Sequence, residues 1–212
     1  MSTLNLILVD DHELVRAGLK QILCAEPDLK VTAECHLGRD VLSALAAHAC
    51  DILLLDISLP DMSGLDVLRQ VRRHHERVAV LILSAHPEVQ FGLNVIRAGA
   101  SGFVSKSGDS AELLRAIRTV ARGNRYVGAE LGELLVKGLT SGSEGPVHGG
   151  LSEREFQIFC KIAEGMSVTA IAQQLFLSVK TISTYRTRIL EKMDLRTNAD
   201  ITTYAIRNQL LP

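Results

Sequence analysis

Between residues 4 and 121 the chain alternates short β-branched or Leu-rich runs with longer segments of helical period, and few folds admit that alternation. The runs are Leu4 to Val9, Lys30 to Cys35, Asp51 to Leu55, Val78 to Leu83 and Ser101 to Ser105. Five strands with five intervening or trailing helices predict an α/β doubly wound parallel sheet covered on both faces. Ile52-Leu53-Leu54-Leu55 is apolar at consecutive positions, as a central strand buried on both faces requires. Sheets of this kind bind ligands outside the carboxyl ends of their strands, near the topological switch point.

Past this region the pattern changes. From Gly123 to Gly150 periodicity weakens, and Thr140-Ser-Gly-Ser-Glu-Gly-Pro-Val-His-Gly-Gly150 has the composition of a flexible linker, preceded by a short helix predicted at about Ala129 to Leu139. Residues 151 to 212 carry helical periodicity only, in segments 152–165, 167–176, 178–192 and 197–209, which predicts a small all-α four-helix domain. The expected organisation is therefore 1–122, a linker at 123–150, and 151–212. Residues 1–122 carry 13 Lys+Arg against 15 Asp+Glu, net −2, and residues 151–212 carry 8 against 6, net +2. So small an asymmetry permits nucleic-acid binding by the second domain without establishing it.

On the strand assignment, Asp10 and Asp11 close the first strand, Asp56 the third, Ser84 the fourth and Lys106 the fifth, all at one edge. Two carboxylates about 4 Å apart repel by roughly 4 kcal/mol at an effective dielectric near 20, so three need compensation. Mg²⁺ suits them, because it takes one or two carboxylates, keeps waters and leaves positions for a phosphate. A metal-bound carboxylate facing a lysine and a hydroxyl can accept a phosphoryl group as an acyl phosphate. Asp56 is then the nucleophile, Asp10 and Asp11 are metal-side acids, Lys106 is a charge clamp, and Ser84 hydrogen-bonds the added phosphoryl oxygens. Each residue alone has a plainer reading: Asp10-Asp11 as a helix start, Leu59-Pro60-Asp61-Met62-Ser63-Gly64 as a turn, Lys106 as a surface lysine, Phe103 as a core aromatic.

The set as a whole resembles the flavodoxin-like receiver domain of response regulators over residues 4–121. The resemblance is carried by Asp10-Asp11, Leu54-Leu55-Asp56-Ile57-Ser58-Leu59-Pro60-Asp61-Met62-Ser63-Gly64, Ser84-Ala85, and Ala98-Gly99-Ala100-Ser101-Gly102-Phe103-Val104-Ser105-Lys106. It implies that Asp56 takes phosphate from a sensor histidine kinase, that the Ser58 backbone carbonyl completes the metal site, and that Ser84 and Phe103 are coupled switch elements. Ser stands where the family more often has Thr, and Phe where it more often has Tyr, so Phe103 has no hydroxyl to bond when it turns inward. Ser107 follows Lys106 where many receivers have Pro. The expected output is a change in the face formed by the fourth helix, fifth strand and fifth helix.

In the second domain Ser152 with Glu155 reads as a capping box, Gly165 as the end of the first helix and Ser178 as the head of the third. Along that third helix Ile182, Ile189 and Met193 must face the core, with Tyr185 at one edge. The opposite face carries Lys180, Thr181, Ser183, Thr184, Thr187, Arg188 and Lys192, a mix of short hydroxyls and cations suited to a major groove. Leu151-Ser-Glu-Arg-Glu155, Gly165-Met166-Ser167, Ile171-Ala172 and Leu177-Ser178-Val179-Lys180-Thr181-Ile182-Ser183-Thr184-Tyr185 resemble the LuxR-type helix-turn-helix. Joined to a receiver, this makes the chain similar to NarL/FixJ-type response regulators: phosphorylation-dependent regulators of promoter DNA, homodimeric when active, and not enzymes beyond their own phosphorylation and dephosphorylation. By position Lys180, Arg186, Arg188 and Lys192 are expected at phosphates, and Ser183, Thr184 and Thr187 near base edges.

Competing functions are a constitutive DNA-binding regulator with a vestigial pocket, and a magnesium-dependent phosphohydrolase. The second usually needs an acid two residues after its nucleophile, where this chain has Ser58. Cys24, Cys35, Cys50 and Cys160 lack zinc or disulfide spacing and read as reduced, mostly buried small hydrophobes. His48 and His74-His75 read as exposed helix ends, and His12 either touches the acid pair or starts the first helix. Ile201, Tyr204, Ala205 and Leu210 serve a dimer surface or core packing. With no leader pattern and no run of membrane-spanning length, a cytoplasmic location is expected.

Overall fold

The structure is a computed structural model that describes residues 3–85, 92, 95–128, 131–133, 151–175, 177–208 and 210. The chain divides into two compact units, Met1–Ser143 and Glu144–Pro212.

The first unit is a five-stranded parallel sheet in the order β2-β1-β3-β4-β5. Its strands are β1 (Leu4–Val9), β2 (Leu29–Cys35), β3 (Ile52–Asp56), β4 (Ala79–Ser84) and β5 (Gly102–Ser105). Each lies within one residue of its expected bounds. The helices are α1 (Glu13–Cys24), α2 (Val41–Ala47), α3 (Gly64–His74) and α4 (Ser110–Ala121). A further expected helix between β4 and β5 falls mostly outside the described residues, although 92 and 95–97 are helical.

All five residues of β3 are buried, as its unbroken apolar run requires. The pleat sends Leu6, Leu8, Ile52, Leu54, Leu81 and Leu83 to one face, where Leu113, Ala116, Ile117 and Val120 of α4 cover them. Helix α3 buries Gly64, Val67, Leu68 and Val71 at helical spacing, is capped by Ser63, and carries Arg72, Arg73 and His74 in its last turn against the helix dipole.

The second unit holds α5 (Glu153–Ala163), α6 (Val168–Gln174), α7 (Val179–Lys192) and α8 (Asn198–Arg207). Each helix is headed by a hydroxyl: Ser152, Ser167, Ser178 and Thr197 all accept a backbone N–H, and Ser152 and Thr197 form capping boxes with Glu155 and Asp200. Gly165, at φ +86°, ends α5 in the left-handed region that glycine enters without strain. Ile171, Ile182, Ile189, Ile201 and Ala205 are fully or nearly fully buried. Phe159 stacks with Phe156 at 5.7 Å and meets Tyr204 edge-on at 6.2 Å, so the last helix contributes Ile201, Tyr204 and Ala205 to this unit's core.

One expectation needs adjusting. Of the four cysteines only Cys35 is buried; Cys24 is exposed because it follows the buried Leu23 and so turns about 100° away from the core. Burial pushes the Cys50 thiol up to about 12 and Cys160 to about 11, which keeps both as thiols. The helix expected at 129–139 lies largely outside the described residues, with 131–133 helical.

Candidate functional site

Parallel strands share their carboxyl edge, and the order of the sheet puts the switch point between β1 and β3. Asp10 follows β1, Asp56 ends β3, Ser84 ends β4 and Lys106 follows β5, so residues almost a hundred positions apart meet there. The Lys106 ammonium stands 2.7 Å from Asp10 Oδ2 and 2.7 Å from Asp56 Oδ2. Both carboxylates are 1% exposed and the lysine 15%. Asp10 Oδ1 accepts the His12 N–H at 2.9 Å, and Asp56 Oδ1 accepts the Ser58 N–H at 3.2 Å. His12 caps α1 by its backbone position and places Nδ1 2.8 Å from Asp11 Oδ1.

Burial pushes the Asp56 carboxyl above its ordinary value, against the opposing pull of Lys106. Burial pulls Lys106 down, yet Asp56 and Asp10 together outweigh it and hold the ammonium above its ordinary range. The lysine is therefore a permanent cation at neutral pH.

Asp10 Oδ2, Asp11 Oδ1 and Asp56 Oδ2 are buried atoms that lack a well-angled hydrogen bond; their close neighbours are charge contacts to Lys106 and His12. Ligating atoms of Asp10, Asp11, His12 and Asp56 lie within 4.8 Å of one another. Three acids against one lysine leave excess negative charge on hard oxygen donors, which fits a divalent cation.

The remaining receiver-side residues sit around this cluster. Ser84 is fully buried at the end of β4, and Lys106 donates its backbone N–H to the Ser84 carbonyl at 2.7 Å. Phe103, three residues before Lys106, is 1% exposed and already turned inward. Ser58 bridges to Ser63 across the turn that leads into α3. A Cβ on Gly64 would lie 2.5 Å from the Asp56 carbonyl oxygen and 2.6 Å from Ile57 Cα, so only glycine lets α3 start this close to the acid. Asp61, in the same turn, accepts from the Gly38 and Arg39 N–H groups at 2.8 and 3.0 Å.

Arg16, which the sequence did not single out, donates Nη1 to the Asp10 carbonyl at 2.7 Å and brings Nε within 3.8 Å of Glu34 Oε2.

In the second unit Lys180, Ser183, Thr184, Thr187 and Arg188 are exposed along one face of α7, with Thr181 half-buried, while Ile182, Ile189 and Met193 point into the core. The hydroxyls of Ser183, Thr184 and Thr187 donate to carbonyls four residues back, which leaves their oxygens facing out as acceptors. Two of the expected contact residues have partners within the unit: Arg186 Nε bonds Asn198 Oδ1 at 2.6 Å, and Lys192 Nζ bonds Glu155 Oε2 at 2.6 Å. His48, His74 and His75 stand at helix ends.

Residues 6–118 match the response regulator receiver domain family, and residues 150–205 match the family of bacterial regulatory proteins, luxR family. The chain is 36% identical over 209 residues to Response regulator UvrY of Escherichia coli K12, covering 98% of this chain and 95% of that protein. Among solved structures it is similar in fold to RcsB of Salmonella enterica serovar Typhimurium bound to promoter P1flhDC in the presence of phosphomimetic BeF3-, at 24% identity, 96% and 98% coverage and a TM-score of 0.61. A structure of two RcsB dimers bound to two parallel DNAs matches at 23% identity, with 96% and 98% coverage and a TM-score of 0.60.

Proposed function

We propose, from the premise that this chain belongs to the two-component response regulators of the NarL/FixJ type and is a phosphorylation-dependent DNA-binding regulator, that Asp56 is its phosphoacceptor. The observation that carries this is the Lys106 ammonium bridging Asp10 and Asp56 at 2.7 Å each, at the switch-point edge of the sheet.

The donor is a phosphohistidine of a sensor histidine kinase. An Asp56 carboxylate oxygen attacks phosphorus, the P–N bond breaks, and the imidazole leaves with its electron pair; the product is an acyl phosphate. Lys106 pairs with the phosphoryl oxygens as their positive charge, and the Ser84 hydroxyl hydrogen-bonds one of them. Asp10, Asp11, Asp56 and the Ser58 carbonyl would hold Mg²⁺, which would supply positive charge to the transferring group. The chemistry is confined to the chain's own phosphorylation and dephosphorylation.

Phosphate adds charge and acceptor oxygens beside Ser84 and Lys106, and Phe103 of β5 passes the change to the neighbouring surface. A shift from about 1:99 to 99:1 requires the phosphate to favour the active state by roughly 5.5 kcal/mol. The output lies in residues 151–212, joined to the receiver of residues 1–122 through 123–150. There Lys180 and Arg188 meet phosphates, Thr181, Ser183, Thr184 and Thr187 approach base edges, and Arg186 and Lys192 hold α7 in place with part of their donors while facing the DNA backbone. The active form is a homodimer on double-stranded promoter DNA in the cytoplasm, in keeping with the RcsB dimers bound to DNA.

The test is the intact mass of wild type and Asp56→Asn after incubation with Mg²⁺ and a small acyl-phosphate donor. One base-labile phosphate on wild type alone, with DNA binding strengthened in that sample alone, is the expected result. An equal adduct on Asp56→Asn sinks the assignment.

A further inference from the structure

Asp10 is tied down at every polar atom. Its N–H donates to the Cys35 carbonyl at 3.1 Å, its Oδ1 accepts from His12 N, its Oδ2 faces Lys106, and its carbonyl accepts from Arg16. Asp11 is the reverse: its side chain is 29% exposed, and Oδ1 accepts no hydrogen bond, with the His12 imidazole nitrogen 2.8 Å away. What places Asp11 is therefore the peptide plane that precedes it. The Asp10 carbonyl, the Asp11 N–H and the Asp11 Cα share that plane, so fixing the oxygen fixes the point from which the Asp11 side chain leaves the backbone.

We infer that Arg16 is a positioning residue for the acid pocket, locking the Asp10–Asp11 peptide so that both carboxylates face one divalent cation; this rests on the proposal that the pocket holds one. Arg16 reaches the pocket because it begins the second turn of α1, where its N–H bonds the His12 carbonyl at 3.0 Å. Its side chain is 17% exposed and is braced from behind by Glu34 on β2, whose other oxygen bonds Lys20 Nζ at 2.5 Å. The guanidinium spends its short contact on a backbone carbonyl and itself occupies no carboxylate oxygen of Asp10 or Asp11. Its planar fork spans the carbonyl and the Glu34 carboxylate at once, which a lysine ammonium on a single stem does less well.

Two roles for Arg16 predict opposite signs. As a mere positive charge near the pocket it repels a cation, and its neutralisation would tighten metal binding. As a clamp on the peptide it aids the cation, and its removal weakens binding on the scale typical of outer partners of metal ligands, about 10- to 100-fold.

The experiment is titration of the full-length chain with Mn²⁺, followed by the loss of free-ion paramagnetic signal, with Mg²⁺ competing. Arg16→Gln is expected to weaken Mn²⁺ by at least about tenfold, Arg16→Lys to recover part of the loss, and Glu34→Gln to fall between. Melting without metal establishes that each variant is folded; where Arg16→Gln is not, Arg16→Lys and Glu34→Gln carry the comparison. Unchanged or tighter Mn²⁺ binding in the folded variants overturns the inference while leaving the pocket standing. A wild-type chain that binds no Mn²⁺, or an Asp56→Asn chain that binds it equally well, removes the pocket reading and this inference with it.

Discussion

The ammonium of Lys192, in the last turn of α7, meets the carboxylate of Glu155 in the first turn of α5 at 2.6 Å. Glu155 is 4% exposed and also accepts the Ser152 N–H at 2.7 Å, so one side chain caps its own helix and anchors the far end of another. Burial raises its carboxyl, but Lys192 and the Ser152 bonds outweigh that and hold it below the ordinary range. A depressed carboxyl contributes stability that is present above its unfolded value, about 4.5, and is lost as pH falls through the folded value. Glu155→Gln should therefore destabilise the 151–212 unit at pH 7 by about 1–2 kcal/mol, with a lower melting temperature, and should flatten its acid sensitivity. That figure lies below the 3–5 kcal/mol of a wholly buried pair because Lys192 is 44% exposed and stays hydrated. Calorimetry of both chains from pH 7 to 3 checks it; equal acid sensitivity would be evidence against the anchor.

Lys106 is the only cation within 4 Å of Asp56 among the described residues. Lys106→Met leaves Asp10 and Asp56 facing each other in a buried site, and should destabilise the first unit by about 3 kcal/mol. Burial and Asp10 then act on Asp56 against the Ser58 N–H alone, so the folded value rises further. A raised carboxyl gives stability that is fully present below its unfolded value and lost as pH rises through the folded one, so the variant should be least stable near neutrality. Mg²⁺ at about 100 times its Kd adds roughly 2.7 kcal/mol to any form that binds it. The expected outcome is a larger Mg²⁺-induced melting shift in Lys106→Met than in wild type at equal Mg²⁺. An equal or smaller shift would mean that Lys106 and the cation do not share the same carboxylates.

Gly64 opens α3 where none of the three nearest atoms a Cβ would meet, all on the Asp56 and Ile57 backbone, is the end of a flexible side chain. Gly64→Ala should destabilise by about 1–3 kcal/mol despite alanine's better helix propensity. It should also slow phosphorylation of Asp56, since relief of the contact moves either the start of α3 or the backbone of the acid and Ile57. Melting curves together with the rate of acyl-phosphate labelling test both halves; a stabilised, normally labelled variant would show that the turn has slack.

The sheet and the acid cluster were legible because both follow from short-range pattern plus one topological rule. Short β-branched or Leu-rich runs identified all five strands, and parallel strands bring Asp10, Asp56, Ser84 and Lys106 to one edge whatever lies between them. Partner choice was less legible. Helical spacing says that Lys192 and Arg186 are on the polar side of α7, but not that Glu155, 37 residues away, and Asn198 bond them there. The same limit hid Arg16, whose worth depends on Glu34 of β2 standing behind it, and Asp61, which caps backbone 23 and 22 residues upstream. Long polar side chains find partners through packing of separate elements, and periodicity within one element carries no record of that.

Those bonds divide the basic residues of α7 into two groups that salt can separate. Each phosphate neutralised by a protein cation releases counterions and adds about 0.9 to the slope of log K against log salt on duplex DNA. Lys180 and Arg188 make no ion pair among the described residues, so Lys180→Ala and Arg188→Ala in the phosphorylated full-length chain should each lower the slope by about 1 and weaken all sequences alike. Lys192→Ala should change the slope less and the melting temperature more, because its ammonium is committed to Glu155. Thr184→Val keeps the slope and removes a hydroxyl that now donates to the Lys180 carbonyl, so its effect should appear as altered preference between operator variants. Binding isotherms at four salt concentrations on one operator and its single-base variants measure all of these. A full unit of slope lost in Lys192→Ala, with stability unchanged, would reverse the division and make Lys192 a phosphate contact first.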